Sequence, residues 1–328
     1  MLRRDFFMTS GSLVVVPGSM AVTGGALNPA TKVTSQHVEA VNEAHAYFQR
    51  LDARWGGGWA RGALVRFIGD QVAPALRSGL PETVRRPMMR AAALLTHRAG
   101  WMADDMGDYP LARHNYAKAR QLSRVAEDSL LFVRILSSEA YGALHRRDGS
   151  RALSLVAEAL HSSSGAHRPL VAQLHSRQAR AYALLGEKEK CLESLRKAAE
   201  LIEGADTSDR VARGGIDHAG LNMETAFCLR DIGDPVGALG RVESVDAAGW
   251  SPTRSSAIQT TLMASIYAQS REFEQAAKLG VRAVESLDGV HSRRAISQVA
   301  YLERQLSGVR SRGVREFRER ARSLTSVS

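Results

Sequence analysis

The feature that most constrains this chain is a pattern that returns at intervals of roughly forty residues from residue 82 onward. Its fullest copy reads Gly107-Asp108-Tyr109-Pro110-Leu111-Ala112-Arg113-His114-Asn115-Tyr116-Ala117-Lys118-Ala119. A turn dipeptide opens a helix there, and Ala112, Tyr116 and Ala119 follow at offsets of four and three, on one helical face. Gly100 stands upstream, where a preceding helix would cross. A second copy keeps Ala140 and Tyr141, then Asp148, Ala152, Val156 and Ala159; a third has Gly186, Leu195 and Ala198, with Cys191 in the place of the first alanine. Gly233-Asp234-Pro235 with Ala238 and Val242 makes a weaker fourth. A fifth runs from Ala264 and Tyr267 through Glu272-Phe273 to Ala276 and Ala283. Small residues let two helices approach closely, and the larger one between them fills the gap to the next unit. Such a unit cannot bury its apolar side alone, so five in series imply stacked helical hairpins.

This is the spacing of tetratricopeptide (TPR) units, stretched beyond their usual length by loops such as 161–167 and 204–216. The expected fold is all-α, a right-handed superhelix of stacked TPR-like hairpins. Few aromatics, 6%, and abundant alanine agree with close helix packing and not with a β-rich core. Four segments follow. Residues 1–34, rich in Gly, Ser, Thr and Pro, form a leader or linker with little order. Residues 35–80 form an N-terminal helical pair, with Ser35 as N-cap, a break at Gly56-Gly57-Gly58, and a second helix over about 59–76. Residues 82–291 carry the TPR-like repeats. Residues 292–328 supply capping helices and an Arg-rich tail, read as a solvated cap, with an acidic-partner surface as the alternative. The net charge of +10 is almost all arginine; it fits either Arg-heavy composition or an acidic partner.

Specific phrases resemble the C-terminal part of actinobacterial helix-turn-helix/TPR transcriptional regulators. They are Leu51-Asp52-Ala53-Arg54-Trp55-Gly56-Gly57-Gly58, Ala99-Gly100-Trp101-Met102-Ala103-Asp104-Asp105-Met106-Gly107, Ala112-Arg113-His114-Asn115-Tyr116 and Ala140-Tyr141-Gly142-Ala143-Leu144-His145. With the repeats, the resemblance spans about residues 36–305. It implies a regulatory role and, in the family, a DNA-reading domain ahead of the TPR part. Residues before Ser35 leave no room for one, so direct sequence-specific DNA binding is not expected. The resemblance also implies cytoplasmic residence. The alternative is an exported or envelope TPR scaffold, because Arg3-Arg4 ahead of Phe6-Phe7 and a weakly apolar stretch has the form of a twin-arginine leader.

No catalytic pattern emerges: no phosphate loop, no His-Glu-x-x-His and no Gly-x-Ser-x-Gly. Asp104 and Asp105 are adjacent and point about 100° apart on a helix, so they read as a solvated helix end and not as an acid–base pair. Cys191 and Cys228 offer neither a disulfide framework nor metal-ligand spacing. The expectation is therefore a binding protein, not an enzyme, with no cofactor, no metal and no membrane span. Its partner would be a protein segment, a peptide or a small signal; self-association stays open. Stacked hairpins turn their first helices toward a concave groove. Projected from the clearest copy, the groove positions are His97, Arg98, Trp101 and Asp105, then Tyr141 and His145, then Arg177 and Arg180, then Phe227 and Arg230, flanked by Leu94, Arg134, Ser137, Gln173 and Met223. Trp101, Tyr141, Arg180 and Phe227 share one position in successive repeats. Aromatic and Arg side chains of that kind commonly anchor binding surfaces. Arg177 and Arg180 are expected to project into solvent on that face.

Overall fold

A computed structural model describes residues 33–206, 208, 214–243 and 254–326; the leader, up to residue 32, lies outside them. Among the described residues there is no strand, and the molecule is an all-α solenoid. The N-terminal pair is α1 (Ser35–Trp55) and α2 (Gly57–Phe67), which passes through a π-helical turn, Ile68–Val72, into α3 (Ala73–Arg77). The hairpins follow: α4 (Glu82–Asp105) with α5 (Tyr109–Val125), α6 (Ser129–His145) with α7 (Gly149–His161), and α8 (Arg168–Leu184) with α9 (Lys188–Ile202). Next come α10 (His218–Asp231) with α11 (Pro235–Glu243), α12 (Arg254–Gln269) with α13 (Phe273–Glu285), and α14 (Arg293–Gln305) with α15 (Arg312–Ser326).

The turns follow from local chemistry. Asp108, Asp128 and Asp148 each precede a helix and accept the backbone N–H three residues on, from Leu111 at 3.3 Å, Leu131 at 2.8 Å and Arg151 at 3.0 Å. Each supplies an acceptor to a helix N-terminus that would otherwise lack one, typically worth about 1 kcal/mol. The preceding helices end in turns whose N–H groups reach back five residues, as from Asp108 to Ala103, Asp148 to Ala143 and Asp234 to Leu229. At the start of α1 the capping residue is Thr34 and not Ser35: its own N–H donates to Nδ1 of His37, 2.9 Å away.

The repeat positions read from the sequence do the packing. Ala112, Ala152, Cys191, Ala238 and Ala276 are buried, none more than 2% exposed, and Tyr116 sits against Gly100. In the last hairpin, Val314, Phe317 and Ala321 pack inward, while Arg318 and Arg320 pair on the outside with Glu303, Glu285 and Glu316. On that outer face these arginines are partly exposed and paired within the chain. One residue of the segment, Arg294, breaks the pattern and turns inward.

The array closes on itself. Beyond α13 the chain returns to the N-terminal pair, where the His291 N–H donates to the Trp55 carbonyl at 2.8 Å and the Gly58 N–H donates to the His291 carbonyl at 3.3 Å. Gly56 has φ +83°, and a Cβ there would collide with the His291 carbonyl oxygen. The glycine triplet is thus more than a helix break: Gly56 caps α1, Gly57 and Gly58 open α2, and the lack of side chains lets the two ends of the array touch. Gly56→Ala should cost about 1–3 kcal/mol from backbone strain plus collision. Gly233 has the same φ with nothing within 4 Å of a would-be Cβ, so Gly233→Ala isolates the strain. Thermal unfolding should place Gly56→Ala clearly below Gly233→Ala; equal midpoints would mean that the closure contributes nothing.

Candidate functional site

Closure gathers the inner-face side chains. Asp105, fully buried, accepts from four donors: the Gly57 N–H at 2.9 Å, Arg254 Nη1 at 3.0 Å, Ser292 Oγ at 2.8 Å and Arg294 Nη2 at 2.8 Å. Burial works against its charged form, but Arg294, Arg254, the Gly57 N–H and the Ser292 hydroxyl together hold its carboxyl below the ordinary aspartate range. Its neighbour Asp104 is buried too, its carboxyl raised by burial although it is paired with Arg146. This corrects the reading of these carboxylates as a solvated helix end. The 100° between them does hold, and it sends them to different partners.

From Asp105 a chain of rings crosses the inner face. The Trp101 and Tyr141 rings stack at 5.8 Å and 13°; Tyr141 meets His145 edge-on at 4.4 Å, and His145 meets Phe227 at 6.3 Å. Arginines cover these rings. Arg294 lies 4.2 Å over Trp101, Arg180 4.2 Å over Phe227, and Arg230 5.2 Å from Phe227 and 5.3 Å from Tyr301. Beside them is a cavity of about 360 Å³, walled by Asp104, Gly142, His145, Arg180, Arg230, Asp231, Arg294 and Tyr301, with Arg147 and Arg304 at its rim. It sits at the C-terminal ends of α4, α6, α8 and α10, with α14 across them. A Cβ on Gly142 would run into the Asp104 carboxylate, so that position has to be glycine for α4 and α6 to approach this closely.

The sequence-projected residues divide accordingly. His145, Arg180 and Arg230 line the cavity; Trp101, Tyr141, Arg177 and Phe227 form the wall behind it, and Asp105 anchors Arg294. His97 and Arg98 do not join them. His97 packs on Tyr116, with ring centres 5.9 Å apart, and Arg98 pairs with Asp52 at 3.0 Å. Of the flanking positions, Ser137 accepts from Arg177, Gln173 donates to the Gly215 carbonyl, and Leu94 is in the core. Sequence reasoning missed Arg294, Tyr301, Arg254 and Asp52. The first two had a signal: Arg294, Gln298 and Tyr301 stand at i, i+4 and i+7 on α14, the same face the projection used in the earlier repeats. The described residues hold no group of three His, Cys, Asp or Glu placed to bind a metal, and no described helix is long and apolar enough to cross a membrane.

Arg177 and Arg180 are not solvent-facing: they are 8% and 4% exposed. Arg180 Nη1 bonds to Glu224 at 3.1 Å. Arg177 bonds to the Ser137 hydroxyl, has no carboxylate within ion-pair distance among the described residues, and is pushed down to about 10 by burial. The double change Arg177→Glu with Arg180→Glu should therefore cost several kcal/mol, on the scale of about 3–5 for breaking a buried ion pair, and not the roughly 0.5 kcal/mol of a surface charge change. Urea denaturation at pH 7 measures it, and a small shift would mean that the arginines do not sit inside.

His97 and His145 are buried, and burial first, then nearby arginines, push both well below the ordinary histidine value; for His145 the arginines are Arg180, Arg294, Arg230 and Arg177. The folded state thus excludes a proton that the unfolded chain takes up near pH 6.5. The associated stability is fully present above that pH and falls away below it, by about 1.4 kcal/mol per pH unit per group. Stability measured by urea unfolding should drop between pH 7 and 5, and His145→Gln should make the drop shallower; an unchanged slope would place His145 in water.

No family model matches the chain, and neither does any curated protein. Among solved structures, a Rap protein complexed with competence and sporulation factor is similar over 88% of this chain and 98% of that one, at 12% identity and a TM-score of 0.50. BtubC (BKLC) from P. vanneervenii is similar over 75% of this chain and 91% of its own, at 15% identity and a TM-score of 0.42. The first likeness is one of fold: a TPR-like helical solenoid.

Proposed function

We propose that the chain is a cytoplasmic regulatory interaction module that acts by binding, not by catalysis, and takes a peptide or protein segment into the cavity on its inner face. The observation that carries this reading is the convergence of first-helix side chains from five hairpins on one cavity. Several buried polar atoms there have no hydrogen-bond partner among the described residues: the donors Nε of Arg180 and Nε and Nη1 of Arg294, and both ring nitrogens of His145. Buried polar groups in folded proteins are nearly always satisfied, and a ligand is one way to satisfy them. The resemblance to actinobacterial regulators supports the regulatory part. The likeness in fold to a Rap protein complexed with competence and sporulation factor supports a bound factor as the partner. A cavity of about 360 Å³ is at the small end of ligand pockets, roughly 300–1,000 Å³, and admits an extended segment more readily than a folded domain.

The test is photocrosslinking in the source cells. A photoreactive phenylalanine is placed at Leu184, in the cavity wall, or at Val236, 79% exposed on the outside. Adducts identified by mass spectrometry should form from Leu184 and not from Val236. Equal labelling, or none from Leu184, would remove the cavity as the binding site.

A further inference from the structure

We infer that the cavity takes its ligand by a carboxylate, held among Arg180, Arg230 and Arg294 as the acidic end of an extended peptide. This rests on the cavity being the binding site, and adds the ligand's chemistry.

Charge is the first argument. Around the closure and the cavity, Arg98, Arg146, Arg177, Arg180, Arg230, Arg254 and Arg294 are buried or half-buried. Their carboxylate partners are Asp52, Asp104, Asp105, Glu224 and Asp231. The cations outnumber the anions. Uncompensated charge in such surroundings is expensive unless an opposite charge arrives.

Donor geometry is the second. Arg294 spends one nitrogen on Asp105 and leaves Nε and Nη1 without a partner; Arg180 spends Nη1 on Glu224 and leaves Nε. Guanidinium groups offer paired N–H donors in a fixed fork that matches the two oxygens of a carboxylate. Aromatic rings hold both guanidinium planes in place, Trp101 beneath Arg294 and Phe227 beneath Arg180. The remaining donors are therefore ordered before any ligand comes.

The helix ends nearby do not remove the surplus. The C-termini of α4, α6, α8 and α10 carry partial negative charge. Carbonyls in the last turn of each are already bonded to turn N–H groups, as from Asp108 to Ala103, Asp148 to Ala143, Glu187 to Tyr182 and Asp234 to Leu229. They stabilise the arginines at a distance and leave Nε and Nη1 of Arg294 and Nε of Arg180 without a partner, whereas Arg230 spends Nε and Nη2 on Asp231 and contributes its charge.

The experiment uses the full chain and a randomised pool of short peptides with free C-termini. Retained peptides are sequenced by mass spectrometry, and the most enriched is remade with a C-terminal amide, with its acidic side chains as amides, and with both. Acidic enrichment is expected, and removing the recognised carboxylate should weaken binding about ten-fold or more. Arg294→Lys, which keeps the charge and loses the fork, should weaken it similarly. Should Arg294→Lys fail to fold, the amide comparison on the unaltered protein still decides, and the rim change Arg304→Gln should lower affinity by a smaller factor. Peptides retained without acidic preference and indifferent to amidation would overturn the carboxylate and leave the peptide-binding reading standing. An empty eluate would overturn both. A thermal shift with inorganic phosphate alone, in the absence of any retained peptide, would also overturn the inference, since the forks would then be serving a phosphate.

Discussion

A single carboxylate joins three separate parts of this chain. Asp105 stands fully buried at the end of α4, and its donors come from the Gly57 backbone, from Arg254 and from the Ser292–Arg294 turn. An ionised carboxylate is tolerated in such a place only when its lone pairs are met by charged or strongly polar donors. The donors are met only if the array curves far enough for its last hairpins to reach its first. Curvature, glycine triplet and inward-turned arginine are thus mutually dependent.

The inner face then follows from that closure. Once the array is closed, side chains that would line an open groove are pressed into contact, and the choice of residues suits the crowding. Arginine is weakly hydrated for a cation and stacks flat on aromatic rings, so Arg180 on Phe227 and Arg294 on Trp101 can coexist with burial where lysine would not. His145, held neutral among four arginines, adds a ring and two nitrogens without adding charge. Asp104, Glu224 and Asp231 restrain the guanidinium groups without matching their number.

The repeat was legible because it depends on local physics. Alanine at the helix crossings and aspartate ahead of helices such as α5, α6 and α7 act within a few residues, so Ala112, Ala152 and Asp108 could be placed by spacing alone. The shared position of Trp101, Tyr141 and Phe227 was legible for the same reason, since one helical face recurs from unit to unit. What spacing could not supply was the global curvature. Small per-repeat rotations accumulate over six hairpins, and they decide whether Arg180 meets solvent or Glu224, and whether Asp105 frays or becomes a hub. His97 went astray for a narrower reason: it faces Tyr116 of its own hairpin, one helical step away from the shared face. Arg294 was lost in the basic run that follows it, whose other arginines do face water.

Open repeat arrays behave as nearly one-dimensional systems, in which each unit feels only its neighbours and can melt without consulting the far end. This one departs from that rule at Arg254 and Asp52, residues 202 apart in sequence yet bonded side chain to side chain. A link of that span raises the loop entropy that must be spent before the last contacts form, and slows folding relative to an open array of the same hairpins. It also ties the terminal units together, so that losing either one strips buried charges on the other. The molecule should open as a whole rather than unravel repeat by repeat, which gives it the cooperativity of a globular domain on a scaffold that ordinarily lacks it.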